Sequence, residues 1–164
     1  MRKPEIIETK ILSLPHALRR INQWRITEKT IAFTNGCFDI LHRGHIYSLS
    51  QAAKEADYLI VGLNSDSSTK QLKGPGRPIN DQQARAIVLA SLLMVDMVVI
   101  FDEETPLELI KAIMPDVIVK GGDYTEDQIA GAKEVKANGG RVVINPIVEG
   151  FSTTGIIKKM SEKG

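Results

Sequence analysis

Residues 30–45 read TIAFTNGCFDILHRGH. The stretch opens with a short apolar run, Thr30–Thr34, whose continuity is typical of a strand that helices cover on both faces. Glycine and small polar residues follow at 35–39, and two histidines then bracket Gly44, where a helical apolar pattern begins. A buried strand that passes through a glycine-containing turn into an amphipathic helix predicts the first half of a βαβ unit.

The same pattern recurs along the chain. The further strand-like runs are Tyr58–Leu63, Met97–Phe101, Val117–Val119 and Val142–Ile144. Helix-like segments separate them, and strands that alternate with helices in this way pair in parallel through right-handed crossovers. The sequence therefore predicts the α/β class, as a single Rossmann-like doubly wound domain with a five-stranded parallel sheet.

Local signals predict where helices start and which faces they bury. Apolar residues at helical spacing form two stripes, Ile46 with Leu49 and Ala53, and Ala84 with Ile87 and Val88. Start signals are Thr105 before Pro106, Asn80 with Gln83, and Thr125 with Gln128. We expect residues 1–29 to form an N-terminal helical extension, with a helix around Ala17–Trp24, and residues 30–164 to form the main domain, ending in a helix over Ser152–Met160.

Composition and charge exclude several classes of protein. The 164 residues are 43% hydrophobic and 25% charged, which excludes a disordered or disulfide-stapled chain. A net charge of +1 argues against a nucleic-acid or membrane partner held by bulk charge. The single cysteine, Cys37, suits a reducing compartment, and the most apolar stretch, 86–101, is too short to cross a bilayer. We expect a cytoplasmic protein without nucleic-acid or membrane partners.

Chemistry-bearing residues collect after the strands. Ligands of an open parallel sheet bind outside the carboxyl ends of its strands. Glycine and small polar residues follow four of the five predicted strands, at 35–45, 64–66, 120–123 and 150–154. The sequence therefore predicts that one edge of the sheet carries the ligand site.

His42 and His45 are the strongest candidates at that edge. Their spacing places both imidazoles on one side of the first helical turn, where free backbone N–H groups and the helix dipole attract phosphate. The pattern favours a phosphorylated ligand whose charge the imidazoles stabilise. An isolated pair is more often surface or half of a metal site, but a zinc site needs about four ligands and only His16 and Cys37 could add to these. For Cys37 itself, packing is favoured over a nucleophilic role.

Other candidates have two interpretations each. Lys70, Lys73 and Arg77 lie in or beside a glycine- and proline-rich segment that is interpreted either as a mobile loop closing over phosphates or as a solvated basic loop. Arg85 is expected to point partly outward, to a surface ion pair or a phosphate. The hydroxyls of 152–154 cap a helix or bind phosphate oxygens. Residues 120–123 form a turn or a bare backbone surface for a base or ribose.

Taken in order, these motifs resemble those of the HxGH nucleotidyltransferases. Within that superfamily the chain looks closest to the adenylyltransferase domain of bifunctional heptose-7-phosphate kinase/heptose-1-phosphate adenylyltransferases. The segments that carry the resemblance are Thr34–Asp39, His42–His45, Asn64–Asp66, Arg85, Lys120–Tyr124 and Ser152–Thr154. The resemblance implies that residues 30–164 are a nucleotidyltransferase domain in which a sugar 1-phosphate attacks the α-phosphorus of ATP, giving an ADP-sugar and pyrophosphate.

The resemblance also implies roles for particular residues. His42, His45 and Lys73 would be catalytic, Asp66 and Lys70 would bind the sugar phosphate, and no residue would be a dedicated metal ligand. The implied nucleotide-binding residues are Cys37, Phe38, Gly44, Arg85, Gly121, Gly122, Asp123, Ser152 and Thr153. Mg²⁺ is expected with ATP, carried mainly by phosphate oxygens. A homo-oligomer and a separate kinase chain of the same pathway are the expected partners besides ATP and the sugar 1-phosphate.

Three rival functions remain open. One is a cytidylyl- or adenylyltransferase for glycerol phosphate or another phosphorylated small molecule, although Glu149 and Gly150 stand where cytidylyltransferases of the superfamily carry a basic residue. A dinucleotide-binding redox domain is disfavoured because no G-x-G-x-x-G follows the first strand. A nucleotide sensor without catalysis would share the same fold.

Overall fold

A computed structural model describes residues 3–146 and 150–162. The strands are β1 (Ile31–Gly36), β2 (Tyr58–Asn64), β3 (Met97–Phe101), β4 (Val117–Gly121) and β5 (Arg141–Asn145). The α-helices are α1 (Leu14–Ile26), α2 (Arg43–Ala53), α3 (Asp66–Lys73), α4 (Gln82–Ala90), α5 (Leu107–Ile113), α6 (Ala132–Ala137) and α7 (Thr153–Ser161). Short 3-10 helices lie at Pro4–Ile6, Glu8–Lys10 and Glu126–Gln128.

The five strands form one parallel sheet in the order β3-β2-β1-β4-β5. The prediction of a doubly wound parallel sheet is confirmed, and each predicted strand overlaps an observed one. Strand order reverses between β1 and β4, because the chain first runs outward through β2 and β3 and then returns to the other side of β1. The crevice at such a reversal is where ligands of this architecture bind.

Alternate residues of each strand enter two apolar layers. On the first face of the sheet, α1, α5 and α6 pack against strand residues such as Phe33 and Ile60. On the second face, α2 and α4 cover residues such as Ala32 and Val61. Burial on both faces explains why the strands are continuous in apolar residues.

The predicted stripe of α4 is wrong. The helix turns Ala86, Leu89 and Ala90 inward, whereas Ile87 and Val88 are 44% and 47% exposed. The inward face also includes Arg85, which is 2% exposed, so the expectation that it points outward is wrong as well. The apolar period alone cannot tell which of two apolar faces of a short helix is buried. Here the buried face is the one that carries Arg85, whose guanidinium donates to backbone carbonyls.

The stripe of α2 is confirmed only in part. Leu49 is buried as predicted. Ile46 is 36% exposed, and Ala52, which was not part of the predicted stripe, is buried. The buried face is therefore rotated slightly from the predicted one.

Helix starts also differ in detail from the prediction. The Asp81 carboxylate, not Asn80, caps α4 by accepting from Ala84 N at 2.8 Å. Helix α5 begins one residue later than expected, with Pro106 as its N-cap rather than Thr105. The Thr125–Gln128 capping box is confirmed, but it starts a single 3-10 turn, and α6 begins only after the positive-φ residue Gly131. The apolar pattern does not predict α3, because its sequence DSSTKQLK has a single large apolar residue.

The N-terminal segment packs on the same core as the sheet. Ala17 and Ile21 of α1 are fully buried in the first-face layer, and Leu12 N donates to the carbonyl of Val98 in β3 at 3.0 Å. The division into residues 1–29 and 30–164 stays a prediction about roles. Within the described residues, no helix is both long enough and apolar enough to span a bilayer.

Candidate active site

A cavity of about 610 Å³ opens at the carboxyl ends of the strands, across the β1/β4 reversal. Its floor consists of residues at or just after the strand ends, including Asn35, Cys37, Asn64 and Lys120. One wall belongs to the second face of the sheet, and contains His42, His45, Phe38, Asp39, Lys73, Arg77 and the start of α7 at 151–154. The other wall precedes α5 and α6 on the first face, and contains Glu104, Thr105, Pro106, Tyr124, Gln128, Ile129 and Ala130.

The two histidines form a stacked pair at the start of α2. His42 is the N-cap, and its Nδ1 accepts from Gly44 N at 3.1 Å. The two rings are 3.9 Å apart between centroids, and the Phe38 ring packs on His45 at 5.3 Å. A Cβ on Gly44 would lie 3.0 Å from the His42 ring, so a larger residue would require that ring to shift. The local sequence H-x-G-H thus places both rings at the cavity beside a helix N-terminus.

Burial favours the neutral form of both imidazoles. It lowers the pKa of His45 to about 4, with a smaller contribution from the charge of His42 when protonated. It also lowers the pKa of His42 below its usual value. The Nδ1 of His45 is buried and has no hydrogen-bond partner among the described residues. A buried polar atom of this kind is satisfied by a ligand or by water, so the pair is suited to hydrogen-bonding a bound group.

Asp39 fastens the loop that follows Lys73 to the histidine segment. Its side chain is fully buried, and it accepts from Arg77 Nε at 2.7 Å and from the backbone N of Ile79 and of Asn80. Burial pushes the pKa of Asp39 upward, but the bonds from Asn80, Ile79 and Arg77 together outweigh it, and the pKa lies below its usual value. The loop expected to be mobile is therefore anchored at one end. Lys73, the last residue of α3, is exposed and lines the cavity at the other end.

Arg85 holds the cavity floor together from beneath. Its guanidinium donates to the carbonyl oxygens of Cys37 at 2.6 Å, Asn64 at 2.8 Å and Asn80 at 3.0 Å, and to the carboxylate of Asp66 at 2.7 Å. Cys37 follows β1 and Asn64 ends β2, so one side chain connects two strand ends to the start of α4. Arg85 and Asp66 both lie behind the cavity lining.

The start of α7 closes the cavity on the histidine side. Ser152 caps the helix by accepting from Gly155 N at 3.0 Å, and Thr153 Oγ1 donates to the carbonyl of Ile40 at 3.1 Å. The Phe151 ring lies near both His42 and Arg43, 6.5 Å from the His42 ring and 5.8 Å from the guanidinium. Capping therefore accounts for Ser152, but both hydroxyl residues still line the cavity. Glu149 lies outside the described residues.

Seven of the residues predicted for the site line this cavity. They are His42, His45, Lys73, Cys37, Phe38, Ser152 and Thr153. Seven others lie outside the lining: Gly44, Arg85, Gly121, Gly122, Asp123, Asp66 and Lys70. Of these, Gly44 is directly beside the His42 ring, and Gly122 is held at φ 134° by its bond to the carbonyl of Asn145. Lys70 is exposed on α3.

The prediction placed Asn35 and Lys120 in segments at the ligand edge but gave neither side chain a role, and both line the floor. Lys120 Nζ donates to Asn35 Oδ1 at 3.2 Å, which bridges the ends of β4 and β1. Burial lowers the pKa of Lys120; a charge on Cys37 would oppose this shift, and Lys73 adds to it. The sequence contains a signal for this role of Lys120, because Lys120 is the first polar residue after the apolar run 117–119 and therefore lies at the ligand edge of the sheet.

The arrangement combines cations, neutral imidazoles and two helix N-termini around one cavity. These groups stabilise anionic oxygens. Within residues 3–146 and 150–162, no cluster of three or more His, Cys, Asp or Glu side chains is placed to hold a metal ion. The chemistry supplied by the described side chains is hydrogen bonding and charge neutralisation.

Comparison with known proteins agrees with this site. The chain is 55% identical over 154 residues to Bifunctional protein HldE of Hyphomonas neptunium and 52% identical over 157 residues to the protein of that name from Mesorhizobium japonicum. The alignments cover 94% and 96% of this chain but 32% of each relative, so the chain spans about a third of their length.

Two solved structures share the fold. The lipopolysaccharide core biosynthesis protein of Thermoplasma volcanium aligns with a TM-score of 0.60 at 27% identity, over 73% of this chain and 97% of that one. The pantoate-beta-alanine ligase of Francisella tularensis aligns with a TM-score of 0.57 at 16% identity, over 93% of this chain and 76% of that one.

A family model also matches most of the chain. The model, described as cytidylyltransferase-like, matches residues 33–159. This range includes β2 to β5, most of β1 and every residue that lines the cavity. The chain belongs to the cytidylyltransferase-like family.

Proposed function

We propose that the protein transfers the adenylyl group of ATP to a sugar 1-phosphate, D-glycero-D-manno-heptose 1-phosphate, giving ADP-heptose and pyrophosphate. The observation that carries the proposal is the stacked pair of imidazoles at the start of α2, which line the same cavity as Lys73. The identity to the HldE proteins at about half of the aligned positions and the ordered motifs of the HxGH type support the same activity.

The reaction is a substitution at phosphorus. An oxygen of the acceptor phosphate forms a bond to the α-phosphorus of ATP, and the bond from that phosphorus to the bridging oxygen of pyrophosphate breaks. A phosphate monoester has a second pKa of about 6 and is largely dianionic near neutral pH. No proton has to be removed from the nucleophile, so the chain needs no general base.

The chain's work is to position the two phosphates and stabilise the charge that develops on them. His42 and His45 would donate hydrogen bonds to oxygens of the α- and β-phosphates. Lys73 would neutralise the reacting phosphates from α3. The first turn of α7, with Ser152 and Thr153, would hold the leaving pyrophosphate.

The remaining predicted residues have less direct roles in this proposal. Cys37 and Phe38 would give backbone contacts to the nucleotide. Gly121, Gly122 and Asp123 follow the cavity floor and would meet the base and ribose as these extend beyond the cavity. Asp66 and Arg85 would act by fixing the floor, since they bind each other. Lys70 would approach the sugar phosphate only from the outer side of α3.

Mg²⁺ would enter with the triphosphate. Asp39 and Asp66 are both in ion pairs, and Glu104 is the cavity-lining carboxylate that has none among the described residues. A single available carboxylate suits a hydrated cation that is held mainly by phosphate oxygens. When bound, the metal would neutralise charge on those oxygens.

We also propose a cytoplasmic homo-oligomer that works in the same pathway as a kinase. Because the matched relatives are about three times as long as the aligned part, the heptose kinase activity implied by the resemblance would belong to another region or another chain.

Pyrophosphate release tests the proposal. ATP and CTP are each offered with both anomers of heptose 1-phosphate, with glycerol 3-phosphate and with no acceptor. We expect release only with ATP and one heptose 1-phosphate anomer. Release with CTP and glycerol 3-phosphate would establish the rival transferase, and nucleotide binding without release on any acceptor would contradict catalysis.

A further inference from the structure

Lys120 lies where the strand order reverses. It is the next-to-last residue of β4, and its Nζ reaches Asn35 Oδ1 near the end of β1. Because β1 and β4 are the neighbours that flank the reversal, this bond crosses the floor of the crevice in which ligands of the architecture bind. The lysine is part of the cavity lining, whereas the glycines that follow it are not.

The ammonium of Lys120 has unused hydrogen-bonding capacity. An ammonium has three donors, and within the described residues Asn35 is the acceptor that Lys120 meets, with the Tyr124 ring centroid 6.0 Å from its Nζ. Lys120 takes part in none of the ion pairs of residues 3–146 and 150–162. Burial lowers its pKa; a charge on Cys37 would oppose this shift and the charge of Lys73 adds to it, as expected for a buried cation that makes no ion pair with a carboxylate. An anion bound beside Lys120 would offset the free-energy cost of burying its positive charge.

The two walls of the cavity differ in charge. The second-face wall carries the imidazoles of His42 and His45, the ammonium of Lys73 and the helix N-termini, which match a polyanion, while Arg77 is paired with Asp39. The first-face wall presents the carboxylate of Glu104 together with hydroxyl and amide groups from Thr105, Tyr124 and Gln128. Such groups match the hydroxyls of a polyol. Lys120 lies between the walls, on the floor.

We propose that Lys120 binds the phosphate group of the acceptor, whose sugar lies against Thr105, Tyr124 and Gln128. The inference rests on the proposed transferase function and adds to it the subsite of the second substrate. A phosphate on the floor is adjacent both to the polyol wall and to the wall that would hold the triphosphate. Lys120 thereby orients the attacking oxygen, and the triphosphate is bound without it.

The direct test is calorimetric titration of the protein saturated with α,β-methylene-ATP, which cannot release pyrophosphate. Inorganic phosphate and each heptose 1-phosphate anomer are titrated into wild type, Lys120→Met and the matched control Lys133→Met, whose lysine is exposed on α6. Loss of a charge-assisted hydrogen bond predicts that Lys120→Met binds both phosphates roughly 10- to 100-fold more weakly. Its affinity for α,β-methylene-ATP stays near that of wild type, and Lys133→Met matches wild type throughout.

Several outcomes would overturn the proposal. These are unchanged phosphate binding in Lys120→Met, an equal loss of nucleotide affinity, or no phosphate binding by nucleotide-saturated wild type. Failure of the transferase function has a different signature, because inorganic phosphate would still bind through Lys120 while no acceptor releases pyrophosphate.

A second measurement uses the unaltered chain and does not depend on the fold of a variant. Lysine acetylation followed by mass spectrometry should show Lys120 protected by inorganic phosphate in the nucleotide-saturated protein, with Lys133 equally reactive in both samples. Equal acetylation of Lys120 with and without phosphate would refute the assignment.

Discussion

The rings of His42 and His45 stack with 3.9 Å between their centroids, and the backbone N–H of Gly44 donates to the His42 ring. That bond uses the Nδ1 of His42 as an acceptor, so the proton of the neutral ring is on Nε2. The pair therefore presents a fixed N–H of His42 and the unpartnered Nδ1 of His45.

Replacing either histidine should remove most of the turnover. We expect His42→Ala and His45→Ala each to lower kcat by a factor on the order of 100 or more, because each removes a donor that stabilises developing charge. Steady-state pyrophosphate release measures this, and circular dichroism checks that the fold remains. Rates near wild type in either variant would contradict the assigned role.

The same pair should make stability depend on pH. The folded pKa of His45 is about 4, below its ordinary 6.5, so the unfolded chain binds protons in this window that the folded chain does not. Stability contributed by the neutral ring is present above pH 6.5 and is lost as the pH falls towards 4. Urea unfolding between about pH 7 and about pH 4.5 should show this decline, and His45→Gln should flatten it. An equal slope in the variant would show that other groups cause the decline.

Arg85 should matter for stability more than for substrate contact. Arg85→Met leaves three backbone carbonyls and the half-exposed Asp66 without their donor, and each buried acceptor that loses its donor costs roughly 1–3 kcal/mol in the free energy of unfolding. Chemical denaturation measures the loss. In Arg85→Lys the shorter side chain ends in one ammonium, which cannot reach all four acceptors, so this variant should recover only part of the lost stability. Arg19→Met, at an exposed position on α1, serves as the control.

Asp39 should control the order of the loop that carries Arg77. In Asp39→Asn the charge that holds Arg77 and the two amides is gone, so amide hydrogen exchange at Ile79 and Asn80 should speed up by about tenfold, corresponding to the loss of roughly one net hydrogen bond. Mass-resolved or NMR exchange measures it. Asp127→Asn, at an exposed site, should leave these rates alone, and protection unchanged in Asp39→Asn would disprove the anchor.

Cys37 should be dispensable for chemistry. Its carbonyl, not its thiol, accepts the bond from Arg85, and the substitution keeps that carbonyl. Cys37→Ala should therefore retain most of the pyrophosphate release. A folded variant without activity would restore the interpretation of the thiol as a nucleophile.

The sheet and its ligand edge could be predicted because continuous apolar runs and the glycines after them are local signals. The burial of Arg85 could not, since the carbonyls that hold it come from residues 37, 64 and 80, which only the fold brings together. Helix α3 escaped prediction because its polar sequence is held by contacts such as Asn64 Nδ2 to Ser68 Oγ rather than by an apolar stripe. The position of Lys120 on the cavity floor depends on strand order, which the apolar pattern does not give.

The buried carboxylate of Asp39 belongs to the segment that leads into the histidines, yet its partners belong to the loop after Lys73. The Arg77 end of that loop is consequently tied to the histidine segment, whereas Lys73 at its other end is exposed. A substrate that draws the lysine inward would therefore move one end of the loop, while the contacts of Asp39 keep the other end and the histidine segment in place.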